Sequence, residues 1–190
     1  MIIFIIPKNS GLSICREIAE RYSGELIELR GEDIPLMVSN LVRQKKKVIG
    51  ITGEDLFIEY LLRTKDKSLE IKKTKVWKDR NCLFEKPTLC LLGPKDKNFE
   101  DMPKKLKICI NSKYKELSKK YCTNLLENKW YQIEKVYASG ATEEFFSKKI
   151  VDLVIDIVCS GKSTDLAGLK VYDKLFSSDI VIIGGKNEKI

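Results

Sequence analysis

Short apolar runs alternate with segments of mixed polarity along the whole chain. Runs of branched aliphatic residues bounded by turn residues predict strands, and they occupy residues 2–6, 25–29, 48–51, 70–77, 88–92, 106–110, 132–137, 150–158 and 180–183. Apolar residues at helical spacing predict helices, at residues 13–22, 34–42, 56–62, 115–127 and 142–148. Residues 166–175 form a turn followed by a segment of undecided structure. Because strands alternate with helices throughout, the predicted fold class is α/β.

The most informative run is 150–158, together with the loop that follows it. The run is almost continuously apolar, which is typical of a strand covered on both faces. The next residues, 160–164, read Ser-Gly-Lys-Ser-Thr. Backbone N–H groups, hydroxyls and an ammonium are the groups that bind a phosphate ester. On this local pattern alone an ordinary strand followed by a turn remains open.

Composition narrows the chemistry that the chain can perform. It contains no histidine, which excludes histidine-based triads, histidine general bases and most zinc sites. The net charge is +8 and comes mainly from lysines spread along the chain. This balance suits an anionic small substrate or a nucleic acid. Aromatic residues are not interleaved with the basic ones, so nucleic-acid binding is the weakest of these interpretations.

Cysteine usage and the first residues bear on the compartment. Six cysteines are present, none in a Cys-x-x-Cys pair, and four lie inside apolar runs, so they are expected to be reduced core residues. The apolar start at 1–8 is too short for a signal peptide or a membrane span. A cytoplasmic protein without membrane contact is therefore expected.

Four predicted strand ends carry loops with related chemistry. Three of them are rich in hydroxyls, amides or glycine, and the fourth joins small residues to a carboxylate; they are Thr52-Gly53, Asn111-Ser112-Lys113-Tyr114, Ser160 to Thr164, and Ser139 to Glu143. Ligands of open α/β sheets bind at the carboxyl ends of strands. The four loops are therefore candidates for one ligand site.

Together these segments resemble the catalytic core of ATP phosphoribosyltransferase, the first enzyme of histidine biosynthesis. Its pattern G-[ST]-x-E, then A-D-x-[IV]-x-D-[LIV]-x-x-[ST]-G-x-T-[LM], then N-G-L is matched by residues 140–143, 151–164 and 167–169. Residues 30–35 look like the family's R-P-x-D-[IV]-P, and residues 50–55 look like its G-I-[TV]-G-x-D. Residues 110–121 are similar to V-A-T-K-Y-P-x-L-T-R-R-Y. The matches occur in the family's order and span residues 30–169.

The resemblance implies a two-lobed fold of the periplasmic-binding-protein type (type II) around a cleft. Lobe I would comprise residues 1–87 and 172–190, and lobe II would be the inserted residues 88–171. The sequence ends near this core, which implies a short form without the regulatory C-terminal domain. Short forms work with a histidyl-tRNA-synthetase-like regulatory subunit, so such a partner and a homo-oligomer are expected.

The implied reaction condenses ATP with phosphoribosyl pyrophosphate (PRPP), with Mg²⁺ held mostly by the substrate and no protein metal site. PRPP would be bound by Asp156, Ser160, Gly161, Lys162, Ser163 and Thr164. ATP or pyrophosphate would be bound by Lys8, Arg30, Asp55, Glu143, Ser112 and Lys113. Such a reaction depends on positioning, and the best catalytic candidates are Asp156 and Glu143. A buried structural role for Asp156 and a helix-capping role for Glu143 remain alternatives.

The sequence also departs from the family pattern. Lys149 stands where the family has glycine before the last motif strand, Ser163 stands for threonine, and Thr164 for leucine or methionine. The interval before Arg30 is shorter than expected. These departures support a second hypothesis, a catalytically weak or inactive relative that binds a nucleotide or phosphosugar as a regulatory module.

Overall fold

The computed structural model describes residues 1–8, 13–20, 24–126 and 130–186. Within these ranges the strands are β1 Ile2–Pro7, β2 Gly24–Leu29, β3 Val48–Gly53, β4 Leu69–Lys75, β5 Thr88–Pro94, β6 Lys105–Asn111, β7 Gln132–Ala138, β8 Leu153–Val158, β9 Leu169–Ser177 and β10 Ile180–Gly185. The α-helices are α1 Ser13–Glu20, α2 Ile34–Arg43, α3 Glu54–Thr64, α4 Lys115–Tyr121, α5 Thr142–Ser147 and α6 Lys162–Leu166. The α/β class is therefore confirmed.

The chain divides into two compact units. Unit 1 comprises residues 1–76 and 179–190, and unit 2 comprises residues 77–178. Strand β9 explains why unit 2 extends to 178, because it pairs antiparallel with β5 in the sheet of that unit. These units are divided at 76/77 and 178/179; the lobe bounds that the resemblance implies, 87/88 and 171/172, stay a prediction.

Unit 1 is built on a five-stranded sheet in the order β2-β1-β3-β10-β4. The neighbours β2, β1 and β3 are parallel, whereas β10 is antiparallel to β3 and β4. Helices α2 and α3 bury Ile34, Val38 and Phe57 in the core of this unit. Gly50 allows α2 to lie close to the sheet, because a Cβ atom there would lie 2.6 Å from the Val38 Cγ2 atom.

Unit 2 is built on a second five-stranded sheet in the order β7-β6-β8-β5-β9. Strands β7, β6 and β8 are parallel, and β5 is antiparallel to its neighbours β8 and β9. The central strands are buried on both faces, because the successive residues Ile108 and Cys109 of β6 and Leu153 and Val154 of β8, which point to opposite faces, are all fully buried. The parallel half of this sheet carries the candidate site.

The strand predicted from residue 150 begins only at Leu153. The preceding residues complete the carboxyl-terminal cap of α5: the Lys149 N–H donates to the Phe146 carbonyl at 2.8 Å, and the Ile150 N–H donates to the Phe145 carbonyl at 2.9 Å. Lys149 has a φ of 57°, in the left-handed region. This pattern is a Schellman motif, in which glycine is the preferred residue at the position that Lys149 occupies.

Two predicted helix ends lie outside the described residues. They are Tyr22, at the end of the first predicted helix, and Glu127, at the end of the helix predicted from residue 115. Helix α4 itself ends at Tyr121 and continues as a π-helical turn over Cys122–Leu126.

The prediction of reduced cysteines is correct for four of the six. Cys15, Cys90, Cys109 and Cys122 are buried free thiols. It is wrong for Cys82 and Cys159, which form a disulfide although they lie 77 residues apart in sequence. The turn 77–87 brings Cys82 to the end of β8, and that approach is a tertiary contact without a local sequence signal.

Among the described residues, no helix combines the length and the apolar composition needed to cross a membrane.

Candidate functional site

Strands β6, β7 and β8 run parallel, so their carboxyl ends meet at one edge of the sheet of unit 2. Asn111 pairs with Ala138 on β7, and Ile110 pairs with Ile155 on β8. This register brings three of the four loops singled out in the sequence to the same edge: those after β6, after β7 and after β8. The edge is the candidate site.

Asp156 is the central carboxylate of this edge. Its Oδ2 atom accepts a hydrogen bond from the Thr142 hydroxyl at 2.6 Å. Its Oδ1 atom accepts from the Asn111 side-chain amide at 2.9 Å and from the Ile157 backbone N–H at 2.7 Å. The carboxylate is thus held by groups from β6, from α5 and from its own strand.

Burial raises the pKa of Asp156, and the negative charge of Glu143 acts in the same direction. The hydrogen bonds from Thr142, Ile157 and Asn111 oppose this shift because they favour the ionised form. The net direction is a raised pKa. A desolvated carboxylate held by fixed donors is an acceptor of well-defined orientation, and so it suits the binding of a polar ligand group.

Glu143, in the first turn of α5, links Asp156 to the loop 160–164. Its Oε1 atom accepts a hydrogen bond from the Ser163 hydroxyl at 2.9 Å. Thr142, its neighbour, is fully buried and donates to Asp156. The structure therefore brings the two predicted catalytic candidates and one predicted loop hydroxyl into a single hydrogen-bonded cluster.

The loop 160–164 turns sharply at Gly161, whose φ of 74° lies in the left-handed region that favours glycine. The Lys162 N–H lies 3.4 Å from the Ser160 hydroxyl oxygen, to which it donates. Ser160, Lys162 and Ser163 are exposed, whereas Thr164 is buried. Of the two hydroxyl residues that replace the family's Thr-Leu pair, Ser163 therefore faces the site, and Thr164 occupies the apolar position.

The residues after β6 approach the same edge. Ser112 and Lys113 lie in a short 3-10 turn, Ser112–Tyr114. The Asn111 side-chain oxygen accepts from the Lys113 N–H at 3.1 Å, while its amide nitrogen donates to Asp156. Asn111 thus fixes both the start of this turn and the carboxylate of β8.

The other predicted ligand residues lie in unit 1, where β2, β1 and β3 are parallel. Lys8 and Arg30 directly follow β1 and β2, and the Lys8 N–H donates to the Leu29 carbonyl at 2.8 Å. Asp55 lies buried in the first turn of α3, which follows β3. The Thr52 hydroxyl donates to the Gly31 carbonyl at 3.0 Å and ties the end of β3 to the turn after Arg30. Lys8, Arg30 and Asp55 therefore share one edge of the unit 1 sheet; residues 9–12 of the predicted first loop lie outside the described residues.

Thr142 is the anchor that sequence reasoning did not single out. Thr142 stands at the variable position of the G-[ST]-x-E pattern, which predicts no function for it. In the structure it is the closest donor to Asp156. A hydroxyl residue at the start of a helix usually predicts an N-cap. Here the N-cap is Ala141, and no side-chain cap bond is formed. The only sequence signal for the Thr142–Asp156 contact is that the hydroxyl residue stands one position after the N-cap.

A cavity of about 760 Å³ opens beside the loop 160–164. It is lined by Leu83, Phe84, Gly161 and Lys162 among others, and its lining includes neither Asp156 nor Glu143. The mainly apolar cavity is therefore separate from the hydrogen-bonded cluster, and we assign the candidate site to the cluster.

Comparisons with known proteins show which family the chain resembles. The model of the family described as ATP phosphoribosyltransferase matches residues 30–190. The chain is 32% identical over 166 residues to the ATP phosphoribosyltransferase of Metallosphaera sedula, which covers 86% of this chain and 50% of that protein. The chain thus spans about half the length of that relative.

Solved structures show the same fold. The ATP phosphoribosyl transferase (HisG:HisZ) complex from Thermotoga maritima matches with a TM-score of 0.71 at 18% identity, covering 97% of this chain and 88% of that one. The periplasmic aliphatic sulphonate binding protein SsuA from Escherichia coli matches with a TM-score of 0.60 at 14% identity, covering 97% and 65%. The predicted two-lobed, type II periplasmic-binding-protein-like fold is therefore confirmed.

Proposed function

The chain belongs to the ATP phosphoribosyltransferase family, and on that premise we propose that it condenses ATP with PRPP to give phosphoribosyl-ATP and pyrophosphate, in histidine biosynthesis. The observation that carries the proposal is the carboxylate of Asp156, anchored by three donors beside the loop 160–164. In the reaction, N1 of adenine displaces pyrophosphate from the ribose carbon. This step depends on positioning and charge stabilisation more than on a strong base, so a chain without histidine can perform it.

The residues of unit 2 are proposed to bind PRPP. The loop 160–164 would receive the 5′-phosphate, because Gly161 permits a close approach of the backbone and the Ser160 and Ser163 hydroxyls and the Lys162 ammonium are exposed beside it. Asp156 would accept a hydrogen bond from a ribose hydroxyl. The Ser163 hydroxyl, which has one proton, donates to Glu143 in this structure, and on binding it would exchange that bond for one to the phosphate.

The residues of unit 1 are proposed to bind ATP or the departing pyrophosphate. Lys8 and Arg30 are exposed cationic side chains at the ends of β1 and β2, and they would meet phosphate charge. Asp55 would accept from the adenine amino group. Ser112 and Lys113, after β6, would add a hydroxyl and an ammonium from unit 2.

Mg²⁺ is proposed to arrive with the substrate, held by pyrophosphate oxygens. The carboxylates of the cluster fit this assignment, because both oxygens of Asp156 already accept protein hydrogen bonds. A cation bound mostly through phosphate oxygens and water is the usual arrangement for Mg²⁺. The ion would neutralise charge on the leaving pyrophosphate.

A regulatory partner and self-association are part of the proposal. The structural relative from Thermotoga maritima is a complex of two different proteins. By analogy, this chain is proposed to form a homo-oligomer and to bind a histidyl-tRNA-synthetase-like regulatory subunit, and to act in the cytoplasm, where ATP and PRPP are made. Sedimentation of the purified chain tests self-association, and a monomer at working concentration would contradict it.

The activity itself is tested by mixing the chain with ATP, PRPP and Mg²⁺. Phosphoribosyl-ATP should form and raise the near-ultraviolet absorbance. The assay is run with the chain alone and with a candidate regulatory subunit, because the chain spans about half the length of the relative from Metallosphaera sedula. Absence of product in both arms, from a protein that is folded, would refute the proposed reaction.

The phosphate site is tested with a matched pair of glycine variants. Gly161 and Gly168 have nearly the same φ, 74° and 75°, and a Cβ atom at either position comes no closer than ordinary van der Waals contact to its neighbours. Gly161→Asp and Gly168→Asp therefore both place a side chain at a positive φ and add the same charge. PRPP at about a hundred times its Kd should raise the Tm of the wild type and of Gly168→Asp by about 5–10 °C. Gly161→Asp should show no such rise, and a retained rise would mean that the phosphate binds elsewhere.

A further inference from the structure

The disulfide between Cys82 and Cys159 fastens the turn 77–87 directly to the loop 160–164. The two Cα atoms are 4.4 Å apart, and Cys159 is the residue immediately before Ser160. The Leu83 N–H also donates to the Cys159 carbonyl at 2.6 Å. A side chain on Gly161 would touch the Leu83 Cδ2 atom at 3.4 Å. The turn is therefore joined to the residue before the loop by a covalent bond and a backbone hydrogen bond, and the Leu83 side chain lies beside Gly161.

The turn 77–87 is itself tied together by backbone hydrogen bonds. The Asp79 N–H donates to the Glu85 carbonyl at 2.7 Å, and the Cys82 and Glu85 N–H groups each close a short bend at 3.0 Å. These hydrogen bonds hold the backbone of the turn in one conformation. Its attachment at Cys159 restricts the backbone at the entry to the loop.

Cys159 differs from the other five cysteines because it is exposed. Cys159 is exposed and Cys82 is buried, so a thiol can approach the bond from the Cys159 side. The four free cysteines are buried. Burial raises the pKa of Cys15 and Cys109 to about 11 and that of Cys90 to about 12, which keeps these thiols protonated and unreactive at neutral pH.

We propose that Cys82–Cys159 is a thiol–disulfide exchange site whose oxidation state sets the affinity of the loop 160–164 for the 5′-phosphate of PRPP; this inference rests on the proposed function of that loop. The reductant is a dithiol. Its thiolate attacks the Cys159 sulfur, the bond between the two sulfurs breaks, and Cys82 leaves as a thiolate that takes a proton. The second thiol of the reductant then displaces Cys159, which is also protonated, and the dithiol departs as a disulfide. Two electrons and two protons are thus transferred to the protein.

Reduction removes the covalent attachment and leaves the weaker contacts of Leu83 to hold the turn. Ordering the backbone of about one additional residue on binding lowers the affinity by roughly five- to thirtyfold. The oxidised protein is therefore expected to bind PRPP more tightly than the reduced protein by a factor in this range.

The test compares PRPP binding by the oxidised protein and by the same protein after dithiothreitol, using calorimetry. Alkylation and mass spectrometry define the two states, because reduction should make two further cysteines available. Cys82→Ser should behave as the reduced protein without any reductant and should not respond to dithiothreitol. Cys122→Ala, which removes a buried free thiol, should retain the full response.

Amide hydrogen exchange of residues 159–166 supplies a readout that does not depend on PRPP, and it should accelerate on reduction. Equal affinity and equal exchange in the two states would overturn the inference and leave the proposed function intact. Failure to find the disulfide in protein treated with a mild oxidant would also overturn it. If neither state binds PRPP, the proposed function fails and the claim about affinity fails with it; amide exchange then tells only whether the disulfide restrains the loop.

Discussion

Lys149 offers a sharp test of how this chain departs from its family, because the structure assigns a backbone role to the position. The residue lies at the left-handed position of the Schellman cap that ends α5, with a φ of 57°. A residue with a Cβ atom is strained there by about 1–2 kcal/mol. Lys149→Gly removes that strain, and it also gives the unfolded chain more freedom, which costs about 0.4–1 kcal/mol.

The net expectation is that Lys149→Gly stabilises the protein by about 0.5–1 kcal/mol, or about 1–4 °C in Tm for a chain of this size. Lys148 provides the matched control, since it is also exposed but has a φ of −84°. Lys148→Gly should destabilise by about 0.5–1 kcal/mol, because it only adds flexibility. Thermal and urea unfolding of both variants measure the two effects.

The same pair of variants also bears on function. Because the Lys149 side chain is exposed and its backbone completes a cap, Lys149→Gly should leave the steady-state kinetics of phosphoribosyl-ATP formation unchanged. If Lys149→Gly destabilises as much as Lys148→Gly, the reasoning from the cap is refuted. A large gain in activity on restoring glycine would instead support the hypothesis of a catalytically weakened relative.

Three further predictions concern half-buried carboxylates. Thr142→Val removes the shortest donor to Asp156; it should cost about 1–3 kcal/mol of stability and weaken PRPP binding in calorimetry, and unchanged binding would contradict the anchoring role. Asp156→Asn should lower PRPP affinity by about tenfold or more with only a small change in Tm, since lost charge-assisted hydrogen bonds are worth about 1.5–3 kcal/mol; intact affinity would show that Asp156 is structural. In unit 1, burial alone would raise the pKa of Asp66, but hydrogen bonds from Ser39, Ser68 and Tyr60 outweigh it and hold the pKa below the ordinary value of 3.8. The resulting stabilisation is present above that value and is lost as pH falls through the lower folded-state pKa, so the stability difference between wild type and Asp66→Asn, about 1–3 kcal/mol at pH 7, should shrink in acid; a pH-independent difference in urea unfolding would contradict it.

The inner parallel strands β1, β3, β6 and β8 could be predicted because largely buried strands carry a nearly continuous apolar run. Strand β8 reads as a continuous apolar run and ends at residue 158 as predicted; it begins at Leu153 and not at Ile150, which belongs to the cap of α5. Strand β9 could not be predicted in the same way. It lies at the edge of its sheet, and its pairing with β5 is interrupted by two register irregularities. An interrupted register breaks the alternation of apolar and polar residues on which the prediction of a half-buried strand depends.

The chemistry of the site was visible in the sequence, but its connections were not. The motif pattern identified Asp156, Glu143 and the loop 160–164, because the resemblance placed each of them. The disulfide and the contacts of Asn111 and Thr142 with Asp156 join positions 77, 45 and 14 residues apart. Such contacts depend on which strands pair and in what register. A local sequence pattern does not specify either.

The hydrogen bonds of Asp156 also limit what this residue can do in the proposed reaction. A carboxylate offers about four acceptor positions, and Asn111, Thr142 and Ile157 fill three of them. The remaining position, on the Oδ2 atom that Thr142 also contacts, can accept one ribose hydroxyl. A base that collects a proton would have to exchange these donors, at the cost of leaving buried polar groups without partners. The geometry therefore favours Asp156 as a fixed acceptor that orients the ribose, and it explains why a half-buried carboxylate with a raised pKa can serve binding without acting as a general base.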